Sequence, residues 1–206
     1  MKIILTNAAK RFNYEWVFRN MNLSLSAENT YALTGSNGSG KTTLLRILSG
    51  YSSLSDGAIS WQKGTTTVAS DKIFSLVAVA SPASALIEEM SLLEQLAFHQ
   101  QFKPFINNLT VDEVISILNL KAHQHKLLSQ YSTGMKQRVK LALALLADSP
   151  IVLLDEPSSN LDAAAIAWMH DLIRAYKMNR LLIIASNDET DLVHCTERIH
   201  LNDYKN

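Results

Sequence analysis

Residues Gly35-Ser36-Asn37-Gly38-Ser39-Gly40-Lys41-Thr42 constrain this chain more than any other stretch. They fit GxxxxGK[ST], the pattern of a loop that wraps a chain of phosphates. Such a loop turns successive backbone N–H groups inward, and side chains would block that approach. Three of the seven glycines fall in these eight positions. Lys41 can reach β- and γ-phosphates, and the Thr42 hydroxyl can ligate Mg²⁺. The flanks agree. Tyr31-Ala32-Leu33 suits a strand, and Thr43 to Ser49 suits a helix closed by Gly50. The helix N-terminus then faces the anion with its partial positive charge.

Length and composition narrow the setting. At 206 residues one α/β domain is the simplest count. Lys plus Arg and Asp plus Glu are 19 each, so there is no basic excess and no nucleic acid is expected as partner. The lone Cys195 forms no internal disulfide and fits a reducing compartment. Met1 to Thr6 turns polar too soon for a signal peptide. The longest apolar run, Leu141 to Ala147, is far short of the roughly 18 residues that span a bilayer. If the protein serves a membrane, another chain does the spanning.

Along the chain the period alternates. Met21, Leu23 and Leu25 alternate with Asn22, Ser24 and Ser26, as in a half-buried strand. Ala58–Trp61, Thr66–Ala69 and Leu76–Val79 are further strand candidates. The middle is helical: Ser91-Leu92-Leu93-Glu94 and Thr110-Val111-Asp112-Glu113 are capping boxes. The second opens a helix with Val111, Val114, Ile115 and Leu118 on one face. A helix over about 134–147, the strand Ile151–Leu154, a helix over 163–177 with Ile166, Met169, Ile173 and Tyr176 on one face, and the strand Leu181–Ala185 follow. A short helix and a last strand near Arg198–Leu201 close the pattern.

Ile151-Val152-Leu153-Leu154 runs straight into Asp155-Glu156. Such an aliphatic run suits a strand buried on both faces of a parallel sheet. Acids at its C-terminal end emerge where open α/β sheets bind ligands. Asp155 is placed to hold the Mg²⁺ shell, and Glu156 to act as general base toward the attacking water. Shortly before it, Ser132-Thr133-Gly134-Met135 opens a helix, which is an N-cap and also a good γ-phosphate contact.

Taken together, these motifs resemble the nucleotide-binding domain of the ATP-binding cassette (ABC) ATPases over essentially the whole chain. Gly35–Thr42 is similar to their Walker A, Ser132–Arg138 to their signature motif, and Ile151–Glu156 to Walker B with its catalytic glutamate. Ser158-Ser159-Asn160-Leu161-Asp162 matches the D-loop. Phe12, 23 residues before Gly35, falls where an aromatic stacks on adenine, with Tyr14 and Trp16 as neighbours for the same role. The resemblance implies a P-loop NTPase core of mostly parallel sheet flanked by helices, an antiparallel β subdomain and an inserted helical subdomain. The corresponding division is 1–87, 88–130 and 131–206. It implies ATP-binding residues Phe12 and Gly35 to Thr43, a metal set of Thr42 and Asp155 for Mg²⁺, and Glu156, Lys41 and, at the position of the family's histidine, Asn187 as catalytic residues. Ser132, Thr133, Gly134 and Met135 would contact ATP held by a second cassette, expected as another copy of this chain, with Asp162 beside them. A transmembrane permease on a separate chain would be the other partner, with the protein peripheral on the cytoplasmic face of the plasma membrane.

Two residues of the family pattern are missing. Ala80-Ser81-Pro82-Ala83-Ser84 lacks the usual glutamine after the strand. Asn187 stands where the family has a histidine; it keeps an N–H donor but carries no proton. Losing one preorganised donor typically costs about 10²–10³ in turnover, so a slow ATPase is expected. Rival readings are a nucleotide-gated interaction module with weak hydrolysis, a soluble non-transport ABC protein and a small-molecule P-loop kinase. The Ser132-Thr133-Gly134 stretch followed by Asp155-Glu156 argues against the kinase.

Overall fold

The computed structural model describes residues 1–177 and 179–205. Fourteen α-helices and strands follow one another in these residues. β1 (Lys2–Phe12), β2 (Glu15–Ser26), β3 (Thr30–Thr34), α1 (Lys41–Leu48), β4 (Asp56–Lys63), β5 (Thr66–Val68) and β6 (Val77–Ala80) form the first half. α2 (Leu92–Phe102), α3 (Val111–Leu118), α4 (Thr133–Leu145), β7 (Ile151–Asp155), α5 (Ala163–Tyr176), β8 (Leu181–Ala185) and β9 (Glu197–His200) form the second.

The strands make two sheets. One is antiparallel in the order β2-β1-β4-β5; the other is parallel in the order β6-β7-β8-β3-β9. The central strands β3, β7 and β8 of the parallel sheet are buried on both faces, and their sequence shows why. Side chains alternate across a strand, and β7 divides accordingly. Ile151 and Leu153 join the cluster with α1 and the antiparallel sheet, while Val152 and Leu154 join the cluster with α2 to α5. Each such aliphatic side chain contributes about 1.5–3 kcal/mol when fully buried.

The register aligns the strand ends. Ala185 pairs with Leu33 on one side and Asp155 on the other, and Ala80 pairs with Leu154. The loops after β3, β6, β7 and β8 therefore leave one edge together. Trp61 ties the second sheet to this core: its indole N–H donates to the Leu48 carbonyl at the end of α1 (2.9 Å). Gly57 lies at φ +79, and a Cβ there would come within 2.3 Å of the Asn7 carbonyl oxygen.

Both capping boxes form, at Ser91–Glu94 and Thr110–Glu113. Two expectations need correction. Residues 2–12, not anticipated as a strand, form β1, the strand shared by β2 and β4. Its register shifts between Leu5 and Ala8, beside Asn7 at φ +47, and breaks the period-2 pattern. The helix expected after β8 is a series of turns from Glu189 to His194 instead. On α5 the buried face is Ala165, Met169, Leu172 and Ile173, with Ile166 and Tyr176 at its half-buried margin.

Candidate functional site

The phosphate-loop pattern sits between β3 and α1, the arrangement its function requires. Gly40 is left-handed at φ +104, and a Cβ there would lie 2.3 Å from Val17 Cγ1. Only glycine fits that close approach without strain. Lys41 Nζ folds back, donating to the carbonyls of Gly35 (2.7 Å) and Ser36 (3.4 Å). Phe12, Val17, Asn37 to Thr43 and Glu156 line a cleft of about 380 Å³ over the loop. Of Phe12, Tyr14 and Trp16 around the β1–β2 turn, only Phe12, about half exposed, lines this cleft. Tyr14 is almost fully exposed, and Trp16 lies between the guanidinium groups of Arg11 and Arg19 (5.4 and 4.8 Å).

The aligned strand ends bring the acids to the loop. The Thr42 hydroxyl donates to Asp155 Oδ2 at 2.7 Å, across 113 residues of sequence. Asp155 is buried. Burial raises its pKa, with the Thr42 hydrogen bond opposing and the Glu156 charge adding to the rise. A hydroxyl and a carboxylate in contact are hard oxygen donors, a set that suits Mg²⁺. Glu156 follows at φ +47, with its amide bonded to the Ala185 carbonyl (2.8 Å) and its side chain exposed to the cleft. Such a positive φ on a non-glycine residue stores strain that the surroundings must hold.

From the neighbouring strand end comes Asn187. Its Oδ1 accepts from the Gly35 amide (3.2 Å), and its Nδ2 donates to Asn37 Oδ1 (3.5 Å). His194 packs instead on His170 (5.1 Å between rings), and His200 meets Thr34 Oγ1 (3.1 Å). After β6 the hydroxyls of Ser81 and Ser84 contact each other (3.1 Å). Both line a cavity of about 300 Å³ with Thr42, Arg46 and Asp155.

The signature-like residues stand apart. Ser132 caps α4, its hydroxyl accepting from the Met135 amide (3.2 Å). Ser132 to Met135 border a cavity of about 520 Å³ with Arg138, Asn160, Asp162 and Trp168. It shares no residue with the cleft over Lys41. Asp162 Oδ1 caps α5 through the Ala165 amide (2.8 Å). A Cβ on Gly134 would lie 2.9 Å from the Asn160 carbonyl oxygen, so α4 and the 158–162 loop touch here. The phosphate loop and the signature-like residues of one chain thus line separate cavities.

A sequence profile of the ABC transporter family matches residues 18–159. The chain belongs to that family. The cassette is 30% identical over 198 residues to the "Uncharacterized ABC transporter ATP-binding protein YybJ" of Bacillus subtilis, covering 93% of this chain and 88% of that one. It is 28% identical over 216 residues to the spermidine/putrescine import ATP-binding protein PotA of Thermotoga maritima, covering 97% of this chain but 55% of that protein. Among solved structures, a Pyrococcus furiosus protein described as an ABC transporter ATP-binding protein superposes over the whole of both chains, at TM-score 0.82 and 22% identity. A dimeric ATP-binding cassette in a post-hydrolysis state with ADP and Pi matches at TM-score 0.82 and 20% identity, over 96% of this chain and 93% of that one.

Sequence reasoning missed Val17, which walls the cleft from β2, and Asp191, which is buried and bonded to Ser186, the residue before Asn187. Val17 carried no signal beyond strand alternation. Asp191 looked like one surface acid among several in a polar stretch.

Proposed function

We propose that the cassette binds MgATP, hydrolyses it slowly and energises a separate transmembrane permease. The observation that carries this is the Thr42–Asp155 contact at the mouth of a cleft that also holds Lys41 and Glu156. In this reading the amides of residues 36 to 43 cradle the phosphates and Lys41 swings from the Gly35 carbonyl to the γ-phosphate. Thr42 and Asp155 hold Mg²⁺, which when bound neutralises charge developing on the phosphates. Glu156 orients and deprotonates water as base, and Phe12 stacks on the adenine. Asn187 Nδ2 donates to the transferred phosphoryl group, because its Oδ1 is fixed by Gly35.

The separation of the signature cavity from the cleft supports a head-to-tail pair. Ser132, Thr133, Gly134 and Met135 of one copy would complete the γ-phosphate site of the other, with Asp162 at the seam. No helix among the described residues is long and apolar enough to cross a membrane. Tyr51, Phe74 and Phe102 are each more than two-thirds exposed. They edge two cavities on either side of Val79, between α1, β6 and α2. A permease seated there, against the 88–130 insertion, accounts for that apolar surface and places the cassette at the cytoplasmic face of a membrane.

The test is steady-state MgATP turnover for wild type, Glu156→Gln and Asn187→His. Glu156→Gln should lose at least about 10²-fold and Asn187→His should gain. Equal rates for wild type and Glu156→Gln would defeat the mechanism and favour a nucleotide-gated module.

A further inference from the structure

Asp191 is 1% exposed, a carboxylate sealed under the loops that follow β7 and β8. It lines none of the cavities described above. It has two partners from opposite sides. Oδ2 accepts from the Ser186 hydroxyl at 2.5 Å, and Oδ1 accepts from the Ser158 amide at 3.1 Å. Ser186 Oγ in turn accepts from the Asp188 amide (3.0 Å). Burying a carboxylate costs several kcal/mol unless hydrogen bonds repay it. Burial pushes its pKa up, against the hydrogen bonds from Ser186 and Ser158. The fold accepts that cost to join two short loops.

What those loops carry gives the join its meaning. Ser186 precedes Asn187, whose Oδ1 holds the Gly35 amide at the first residue of the phosphate loop. Ser158 lies two residues after Glu156 and opens the stretch that runs to Asp162. A second side chain grips the same place from the far side. Gln137, 5% exposed on α4, donates from Nε2 to the Pro157 carbonyl at 3.0 Å. Consecutive residues, Pro157 and Ser158, are thus held from the signature helix and from the loop touching the phosphate loop.

We propose that Asp191 and Gln137 are positioning residues that couple occupancy of the phosphate loop to the 157–162 stretch and the signature helix. The route runs from Gly35 through Asn187, Ser186 and Asp191 to Ser158, and from Pro157 through Gln137 into α4. Phosphates that fill the loop move Gly35 and, through the bond to its amide, Asn187 with it, and the rigid buried carboxylate passes that shift on. The result is that one site of a head-to-tail pair informs the signature face offered to the other. This rests on the nucleotide-binding role argued above. Coupling of this kind is shown by response, not by contact alone.

The experiment is amide hydrogen exchange on the full chain, with and without Mg²⁺ and the non-hydrolysable analogue AMP-PNP. In wild type the analogue should slow exchange at 35–43, 186–191 and 157–162, with the Ser158 amide slowed about tenfold. Asp191→Ala should keep the response at 35–43 and lose it at 157–162. Asp191→Asn keeps an acceptor for Ser158 and should restore it, which a purely structural defect would not predict. If Asp191→Ala does not fold, Ser186→Ala cuts the same link from the other end and should show the same loss. Steady-state kinetics on Asp191→Ala and Ser186→Ala should show kcat falling on the order of 10²-fold with KM little changed, and Asp191→Asn should recover most of it. A full response at 157–162 in Asp191→Ala or Ser186→Ala overturns the coupling. So does a wild type protected at 35–43 only, and in both cases nucleotide binding stands. No protection at 35–43 would bring down the nucleotide reading itself, and the coupling with it.

Discussion

Replacing Gly40 by alanine tests how the antiparallel sheet supports the phosphate loop. Two costs arise. The backbone is at φ +104, where an L side chain is strained by about 1–3 kcal/mol. The new Cβ would also stand 2.3 Å from Val17 Cγ1, so β2 or the loop must shift, at about 1–3 kcal/mol for overpacking. Leu201 Cδ2, at 3.6 Å, needs no shift. The sum is about 4 kcal/mol, which for a domain of this size lowers Tm by about 8–16 °C. The two costs separate in a double-mutant cycle. Val17→Ala alone loses about 1–2 kcal/mol of half-buried methyl packing, yet it removes the atom that clashes. In that background Gly40→Ala should cost only its backbone part, a coupling of about 1–3 kcal/mol. Urea unfolding of the four proteins measures it, provided m stays constant. A cost for Gly40→Ala below about 1 kcal/mol, or one unchanged by Val17→Ala, would refute the argument that Val17 and the loop are packed in contact.

Other residues give shorter tests. Trp61→Phe leaves the Leu48 carbonyl without its indole donor and should cost about 1–3 kcal/mol in the same unfolding assay. His99 is pushed down to about 4 by burial, then by Lys103, so it folds neutral. Its stabilisation is full above the unfolded value near 6.5 and is lost as pH falls toward 4. The loss is at most about 3 kcal/mol, trimmed by solvent to about 2. His99→Gln should flatten the pH 4–6.5 limb of a thermal-melt series, and an unchanged limb would contradict it. Asp155 has a raised pKa, so its contribution is favourable while protonated and fades as pH rises through the folded value. Asp155→Asn should therefore be at least as stable as wild type at pH 7 without ligand, yet show little rise in Tm with MgAMP-PNP. A destabilised apo variant would speak against the burial argument.

How much the chain announced in advance depended on whether the signal was local. The capping boxes at Ser91 and Thr110 are four-residue devices and appear as expected. The aliphatic run ending in Asp155 reads as a buried strand because both of its faces are apolar, and both are covered. β1 escaped notice because Asn7 and the register shifts around it disturb the alternation that marks a strand. The Phe12, Tyr14 and Trp16 alternatives needed three dimensions, since only packing shows that the arginines claim Trp16. Asp191 was least legible of all. Its partners are 33 and 5 residues away, and a buried acid and a surface acid look alike in a sequence.

On the proposed function, MgATP is shared between Lys41's loop on one copy and Ser132 to Met135 on another. Sedimentation of the Glu156→Gln cassette, which should bind ATP without consuming it, tests this most directly. With MgATP it should sediment as a dimer, with MgADP as a monomer, and Ser132→Arg should abolish the dimer while nucleotide still binds. A Glu156→Gln cassette that remains monomeric at saturating MgATP, or a dimer indifferent to Ser132→Arg, would contradict the account.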